Sequence, residues 1–427
     1  MLRVGARRST RVAALCLTWV ISACGPHRDL LDPKPVPPPP VDSLPPLDTV
    51  SLPRFSGEWL GSHYATFTCF AIDVRLRCWG SADHLTLPVT NVAAMSDSGT
   101  TLSAAAYSVG YGGFCLLDVE GLAWCAASPL RPLVKVRTRY RFIEVKVGFA
   151  SMCGLRPSGG IACWGEGDFG GLGTGHTSTD SVTRTTPSPV ASERPFSRIE
   201  SHSYGWCAIE RGSQHPYCWG SDPGGVIAVP SFSGSCTNRY WFRWTGTACL
   251  TPTPLPGEPV VSRTAGTLSS ACSIAASDSR VWCMGVGAAG ETGNGRVSEI
   301  NVTDTLAPVV GGLRAMVVDA GATHYCAIEP GGDVWCWGNN FRGFLGIGNP
   351  ACNDGTCGPA ASGVPLRLTL AGATLLTTGT LHTCARARGG VWCWGYGETG
   401  ALGPPNTDAY TPRLVIPLEG SAAAVRR

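Results

Sequence analysis

Fourteen of the twenty cysteines in this 427-residue chain form seven pairs of near neighbours. The pairs are Cys69/Cys78, Cys115/Cys125, Cys153/Cys163, Cys207/Cys218, Cys272/Cys283, Cys326/Cys336 and Cys384/Cys393, with 8, 9, 9, 10, 10, 9 and 8 residues between partners. The clearest copy runs from Gly321 to Gly338. A short alternating run reaches Cys326-Ala-Ile, a glycine turn follows, and Val334-Trp335-Cys336-Trp337 returns. This pattern predicts a β-hairpin with one cysteine on each strand. A tryptophan or methionine and then a glycine follow the second cysteine in six copies (Trp79, Trp164, Trp219, Met284, Trp337, Trp394), while the second copy has Trp124 before the cysteine and Ala126 after it. First cysteines are 46, 38, 54, 65, 54 and 58 residues apart. One hairpin cannot bury its own apolar face, so copies must stack. A period near 50 with about four short strands per copy predicts an all-β, seven-bladed β-propeller with intra-blade disulfides.

Two cysteines facing each other across a hairpin lie within bonding range. Closing a ten-residue loop stabilises by roughly 2–3 kcal/mol in the chain-entropy model. Free buried thiols are the alternative, and an exported chain favours the disulfides. Changes in spacing are absorbed by the turn or by a bulge. The other cysteines fall in two insertions (Cys236 with Cys249, Cys352 with Cys357) and in the N-terminal segment (Cys16, Cys24). No CxxC occurs, which argues against a zinc ribbon.

The expected organisation has four parts. Residues 1–24 are a leader: Arg3, Arg7, Arg8 and Arg11 precede the apolar run Val12–Val20, and Ile21-Ser22-Ala23-Cys24 resembles a bacterial lipobox, with Cys24 as the lipidated residue. An ordinary signal peptide cut near Ala23 is the alternative. Residues 25–54 are a proline-rich linker that favours polyproline II and forms no core. Residues 55–420 carry the propeller and 421–427 are a C-terminal tail. The run Phe55–Leu60 is expected to complete the last blade and latch the ring, which would cover a sheet edge. These features place the protein in the cell envelope, exported and held on a membrane through the lipid at Cys24.

Glycine-rich tails follow several hairpins: Gly165 to Gly175, Gly287 to Gly295, Gly338 to Gly348 and Gly395 to Gly403. The combination Gly-x-x-His-x-Cys-Ala, Val-Trp-Cys-Trp-Gly-x-Asn and Gly-x-Leu-Gly-x-Gly resembles the repeat of the regulator of chromosome condensation (RCC1-like) family. It is most similar to the cysteine-paired variety found in exported bacterial proteins. The resemblance covers about residues 55–420, is specific in copies three, six and seven, and is worn in copies one and two. It implies a seven-bladed propeller, in agreement with the repeat count. The nucleotide-exchange activity known in eukaryotic members does not fit an exported lipoprotein. The Gly-x-Gly matches precede no helix, so they read as turns rather than a dinucleotide fingerprint.

No catalytic constellation, cofactor motif or metal set stands out. His324 and His382 share one repeat position and read as structural histidines bonded to backbone. Asp168 and Glu398 sit in tails of blades that are not neighbours and read as turn residues. There is no Gly-x-Ser-x-Gly elbow. Asn353-Asp354-Gly355-Thr356 lacks the spaced acids of a calcium loop. The formal charge of +3, from 33 basic and 30 acidic residues, carries no footprint for nucleic acid. The strongest binding candidate is the insertion between Cys236 and Cys249, with Arg239, Tyr240, Trp241, Phe242, Arg243 and Trp244. Aromatic residues and arginine dominate interface hot spots, and a disulfide would pre-organise the loop. The same aromatics could instead fold back as a lid. The expected function is a monomeric protein-binding scaffold. The alternatives are an inhibitor of a secreted enzyme, or an enzyme (hydrolase or lyase) whose site lies in the central channel. The last needs acids, histidines or a metal converging from several blades.

Overall fold

A computed structural model describes residues 48–418 apart from 63–64, 74, 83–84, 93–97, 168–169, 178–184, 203, 223–235, 242–243, 256–260, 299–301 and 349–357. The leader with Cys16 and Cys24, most of the linker, the C-terminal tail, and Asp168, Phe242, Arg243, Cys352, Asn353–Thr356 and Cys357 lie outside the described residues.

Strands come in seven consecutive antiparallel sheets, one per repeat. Blade 1 is β1 (Glu58–Gly61), β2 (Phe67–Ile72), β3 (Arg75–Ala82) and β4 (Leu85–Val92). Blade 2 is β5 (Ala104–Gly110), β6 (Gly113–Asp118), β7 (Ala123–Ala126) and β8 (Val134–Lys135). Blade 3 is β9 (Glu144–Val147), β10 (Ser151–Leu155), β11 (Ile161–Gly165) and β12 (Ser188–Pro189). Blade 4 is β13 (Phe196–His202), β14 (Tyr204–Glu210), β15 (Pro216–Asp222), β16 (Cys236–Trp241) and β17 (Trp244–Pro254). Blade 5 is β18 (Val261–Gly266), β19 (Ser270–Ala275), β20 (Val281–Val286) and β21 (Val302–Pro308). Blade 6 is β22 (Val317–Ala320), β23 (His324–Ile328), β24 (Val334–Asn339) and β25 (Ala361–Arg367). Blade 7 is β26 (Leu375–Thr378), β27 (His382–Ala387), β28 (Gly390–Gly395) and β29 (Ala409–Pro417).

The cysteine hairpins are the second and third strands of each blade. Every pair is in direct register, for example Cys326 opposite Cys336 and Cys384 opposite Cys393. All seven pairs are disulfide-bonded: Cys69–Cys78, Cys115–Cys125, Cys153–Cys163, Cys207–Cys218, Cys272–Cys283, Cys326–Cys336 and Cys384–Cys393, with Cα atoms 4.0–4.1 Å apart. The third-strand partners Cys78, Cys125, Cys163, Cys218 and Cys283 are buried, as are Cys336 and Cys393. These bridges therefore lie inside the blades as structural staples and offer no surface to a ligand. The spacing differences are absorbed in the turns: the hairpin closes between Ile72 and Arg75 in blade 1 and between Ile209 and Pro216 in blade 4.

In four of the seven blades the tryptophan after the second cysteine hooks the blade onto its predecessor. The indole N–H of Trp219 donates to Gly171 O (3.2 Å), Trp337 to Glu291 O (2.9 Å), Trp394 to Phe344 O (3.1 Å) and Trp79 to Ala401 O (3.0 Å). Each acceptor lies in the glycine-rich tail of the preceding blade. The tail is two successive tight turns; in blade 6 Gly343 N donates to Asn340 O and Gly346 N to Gly343 O. Gly346 has φ +69°, and a Cβ there would lie 2.8 Å from the Trp394 ring, so the position requires glycine. Blade 2 has no such tail, and Trp164 of blade 3, fully buried, has no partner for its N–H among the described residues. Blade 5, which follows blade 4, carries Met284 at this position.

Ring closure differs from the expected latch. The run Phe55–Leu60 does not complete the last blade: β1 pairs with β2 as the innermost strand of blade 1, and blade 7 is built entirely from C-terminal strands. The ring closes by face-to-face packing of blade 7 on blade 1, with β1 against β26. At this seam Ser62 N donates to Thr377 Oγ1 (2.9 Å), and His382 Nε2 lies 2.9 Å from Ser62 Oγ and 2.8 Å from Thr68 Oγ1. Blades 6 and 7 are joined alike by His324 Nε2 and Thr383 Oγ1 at 2.9 Å. The blades meet through their faces and not through strand edges, so a latching strand has no ladder to join at the seam. The N-terminal segment instead runs along the turns between second and third strands. Asp48 pairs with Arg156 of blade 3 (2.8 Å), Leu52 N donates to Val119 O and Phe55 N to Ala104 O of blade 2.

Candidate functional site

Antiparallel order fixes what each end of the ring displays. The turns between first and second strands and the connections between third and fourth strands emerge at one end, here called the loop face. The turns between second and third strands and the linkers between blades emerge at the other, the turn face. Among the described residues, the glycine-rich tails at 170–175, 287–295, 340–348 and 396–403 therefore leave their third strands on the loop face. Rim turns there are tied from blade to blade, by Gly112 N to Gly148 O, Leu268 N to Ala322 O, Ala322 N to Thr380 O and Thr380 N to Ala65 O.

The insertion read as a loop in the sequence is a β-hairpin. β16 pairs with β17, which sets Arg239 opposite Gly246, Tyr240 opposite Thr245 and Trp241 opposite Trp244. β17 continues as the fourth strand of blade 4, so β16 is a fifth, outermost strand. β17 pairs with β15 only as far as Asp222 opposite Thr247, so the Trp241/Trp244 pair of the β16–β17 ladder lies beyond the last pairing with β15. Cys236 stands opposite Cys249, and Cys249 is disulfide-bonded.

A second loop-face feature joins the tails of blades 6 and 7. Arg342 Nη1 lies 3.1 Å from Glu398 Oε1 and 3.0 Å from Asp408 Oδ2. Its guanidinium sits 5.8 Å from the Phe341 ring and 5.2 Å from the Tyr396 ring, and the Tyr396 hydroxyl donates to Glu398 Oε2 at 2.9 Å. Phe341 is 39% exposed although it is a large apolar residue on a connection. The Tyr396 hydrogen bond and the Arg342 charge hold the Glu398 carboxyl below its ordinary range. The result is an exposed aromatic residue beside an arginine held in place by two carboxylates. Glu398, read as a turn residue, is thus part of this cluster.

The central channel holds a charged cluster that sequence reasoning missed. The innermost strands of three adjacent blades contribute Glu144 and Lys146 (β9), Arg198 and Glu200 (β13), and Arg263 (β18). Lys146 Nζ is 3.5 Å from Glu144 Oε1 and 3.5 Å from Glu200 Oε2, and Arg198 Nη1 is 3.6 Å from Glu200 Oε1. Ile199 N donates to Glu144 Oε2 at 3.4 Å. Burial pushes the Glu144 carboxyl above its ordinary range against the pull of Lys146, and Glu200 raises Lys146. Neighbouring blades cover both faces of these sheets, so the remaining exposed surface of these side chains opens to the channel. The arrangement provides two carboxylates around one ammonium, with two guanidinium groups alongside. It can hold an anion or move a proton at Glu144.

The histidines are structural, with partners that differ from the expected backbone groups. His324 and His382 are buried and meet hydroxyls of the next blade; burial lowers their pKa to about 4 and about 3. No group of three or more metal-ligating residues occurs among the described residues, and none of their helices is long and apolar enough to cross a membrane.

Comparison with known proteins agrees with this architecture. Residues 318–343, the core of blade 6, match the family model described as the regulator of chromosome condensation (RCC1) repeat. The human E3 ubiquitin-protein ligase HERC2 is 25% identical over 323 residues, covering 74% of this chain but 6% of HERC2. The ultraviolet-B receptor UVR8 of Arabidopsis thaliana is 29% identical over 172 residues, covering 39% of this chain and 36% of UVR8. Among solved structures, Prp20p of Saccharomyces cerevisiae, reported with its binding to Gsp1p and histones, superposes with a TM-score of 0.62 at 16% identity over 84% of this chain and 87% of Prp20p. The protein is an all-β propeller of RCC1-like repeats. Its repeats are similar to those of the RCC1-like family, in a form that carries one disulfide in each blade hairpin.

Proposed function

We propose that this chain is an exported bacterial cell-envelope lipoprotein whose propeller binds another protein through its loop face. The observation that carries the reading is the loop-face cluster of Phe341, Arg342 and Tyr396, where the exposed Phe341 ring stands beside an arginine held by two carboxylates. Aromatic and arginine side chains held in place before binding lose little entropy on docking. Prp20p, similar in fold, is reported to bind Gsp1p, which supports a protein partner here. Seven hairpin disulfides fit an oxidising compartment outside the cytoplasm. Asp48, at the start of the described residues, lies on the turn face beside Arg156.

The test is capture from envelope extracts by residues 42–427, which include the whole propeller unit. The variants Trp241→Ala/Trp244→Ala and Phe341→Ala/Tyr396→Ala should lose a partner that the wild type retains, at unchanged melting temperature. Arg211→Ala on the turn face should keep it. A partner held equally by all of them would contradict the reading. Inhibition of a secreted enzyme is a special case in which the captured partner is that enzyme. A channel hydrolase or lyase is the second reading, favoured by Glu144 and Glu200 flanking Lys146. It predicts turnover that Glu144→Gln abolishes while capture persists.

A further inference from the structure

The channel cluster contains more positive than negative charge. Three cations, Lys146, Arg198 and Arg263, stand with two carboxylates, Glu144 and Glu200. Both carboxylates are committed: each meets Lys146 at 3.5 Å, Glu200 also meets Arg198 at 3.6 Å, and Glu144 also accepts from Ile199 N. Arg263, half-buried on β18, has no carboxylate within ion-pair distance among the described residues, yet it is close enough to Lys146 to oppose its protonation. The other inner strands do not supply the missing charge. β5 and β26 carry no acidic residue. Glu58 of β1 pairs with Arg386 at 3.0 Å. Asp319 of β22 accepts from the backbone N–H groups of Ala320 and Thr378, both at 2.9 Å.

A guanidinium without a counter-charge in a narrow channel, with a second guanidinium and an ammonium beside it, attracts an anion more strongly than the same group on an open surface. We propose that Arg263, with Arg198 beside it, binds an anionic oxygen group, carboxylate or phosphate, inside the channel. The five charges belong to blades 3, 4 and 5, so the site is one-sided within the ring. Arginine presents a planar fork of donors that matches such oxyanions in two-point geometry. The group comes either from a free small anion or from an acidic side chain that a partner inserts. This inference stands apart from the loop face and survives if no protein is captured there.

The experiment is calorimetric titration of the full chain at low ionic strength with three probes: inorganic phosphate, succinate and a blocked tetrapeptide of alternating aspartate and glutamate. At least one probe should bind the wild type. Arg263→Gln should weaken that binding about tenfold or more, the loss of one charge-assisted contact. Arg263→Lys should weaken it less. Glu200→Gln should tighten it, because Lys146 and Arg198 lose their shared carboxylate. Binding of the free anions assigns a small-ion site; binding of the peptide alone assigns a partner's acidic side chain. The proposal is overturned if no probe binds, or if Arg263→Gln binds as the wild type does while its melting temperature is unchanged.

Discussion

Glu291→Gln should stabilise the protein increasingly as pH rises above 4.5, with the full effect above about 7. Glu291 lies in the blade 5 tail, 4% exposed, and its carboxyl accepts from Ala289 N at 2.8 Å. Its own backbone carbonyl holds the Trp337 indole, so the residue sits at the seam between blades 5 and 6. Burial raises the carboxyl pKa from 4.5 to about 7. A carboxyl whose pKa is higher in the folded than in the unfolded state binds its proton more tightly when folded. The folded state is therefore fully favoured below pH 4.5, and stability falls as pH rises through about 7. A difference of about 2.5 pKa units corresponds to at most about 3 kcal/mol. Glutamine keeps the acceptor for Ala289 and the shape without the charge. Denaturant unfolding at pH 8 should show the variant more stable by up to about 3 kcal/mol, and near the unfolded pKa the two should be nearly equal. An equal difference at both pH values would refute the argument, since a packing effect does not depend on pH.

The histidines at the last two seams carry the opposite sign. His324 and His382 fold neutral, with pKa about 4 and about 3, so their contribution is present above 6.5 and is lost as pH falls through those values. Acid should therefore loosen blade 7 first, seen as hydrogen exchange rising in β26–β29 before the other blades, and His382→Gln should blunt that response. Trp394→Phe should cost about 1 kcal/mol more than Trp164→Phe in unfolding experiments, because only Trp394 loses an indole hydrogen bond. Reduction of the disulfides should lower the denaturation midpoint sharply, each hairpin bridge contributing about 2–3 kcal/mol in the chain-entropy model. Removing residues up to Gly57 should destabilise the ring more than Arg156→Gln alone, since Phe55 also packs on Tyr107 at 5.1 Å.

The hairpins were legible because their signals are local. Two cysteines with eight to ten residues between them, a glycine turn and a following tryptophan specify strand, register and bridge without reference to the rest of the chain. Ring closure was not legible, because it rests on side chains more than three hundred residues apart: His382 on Thr68 and Trp79 on Ala401. The insertion at 236–249 revealed its cysteines and aromatics but not its pairing, which depends on the alternation Thr237, Arg239, Trp241 against Trp244, Gly246 and Ala248. The channel charges were overlooked because β9 is only four residues long and lies outside the cysteine pattern. A signal was present: Lys146 and Glu200 stand directly opposite the first cysteine of their hairpins, Cys153 and Cys207, a position filled by Gly61, Ser108, Ala265, Asp319 and Thr377 in the other blades. The Arg342 cluster joins two tails 56 residues apart in sequence, and nothing in either tail alone announces the other.

A protein bound at the loop face would lie beside Phe341 and away from Ser213. The most direct measurement places a photo-crosslinking amino acid singly at Phe341 on the loop face and at Ser213 on the turn face of the full chain, followed by irradiation in intact cells. A discrete protein adduct is expected from position 341 and none from position 213. An adduct from position 213 alone would contradict binding at the loop face and move the binding surface to the opposite end of the ring.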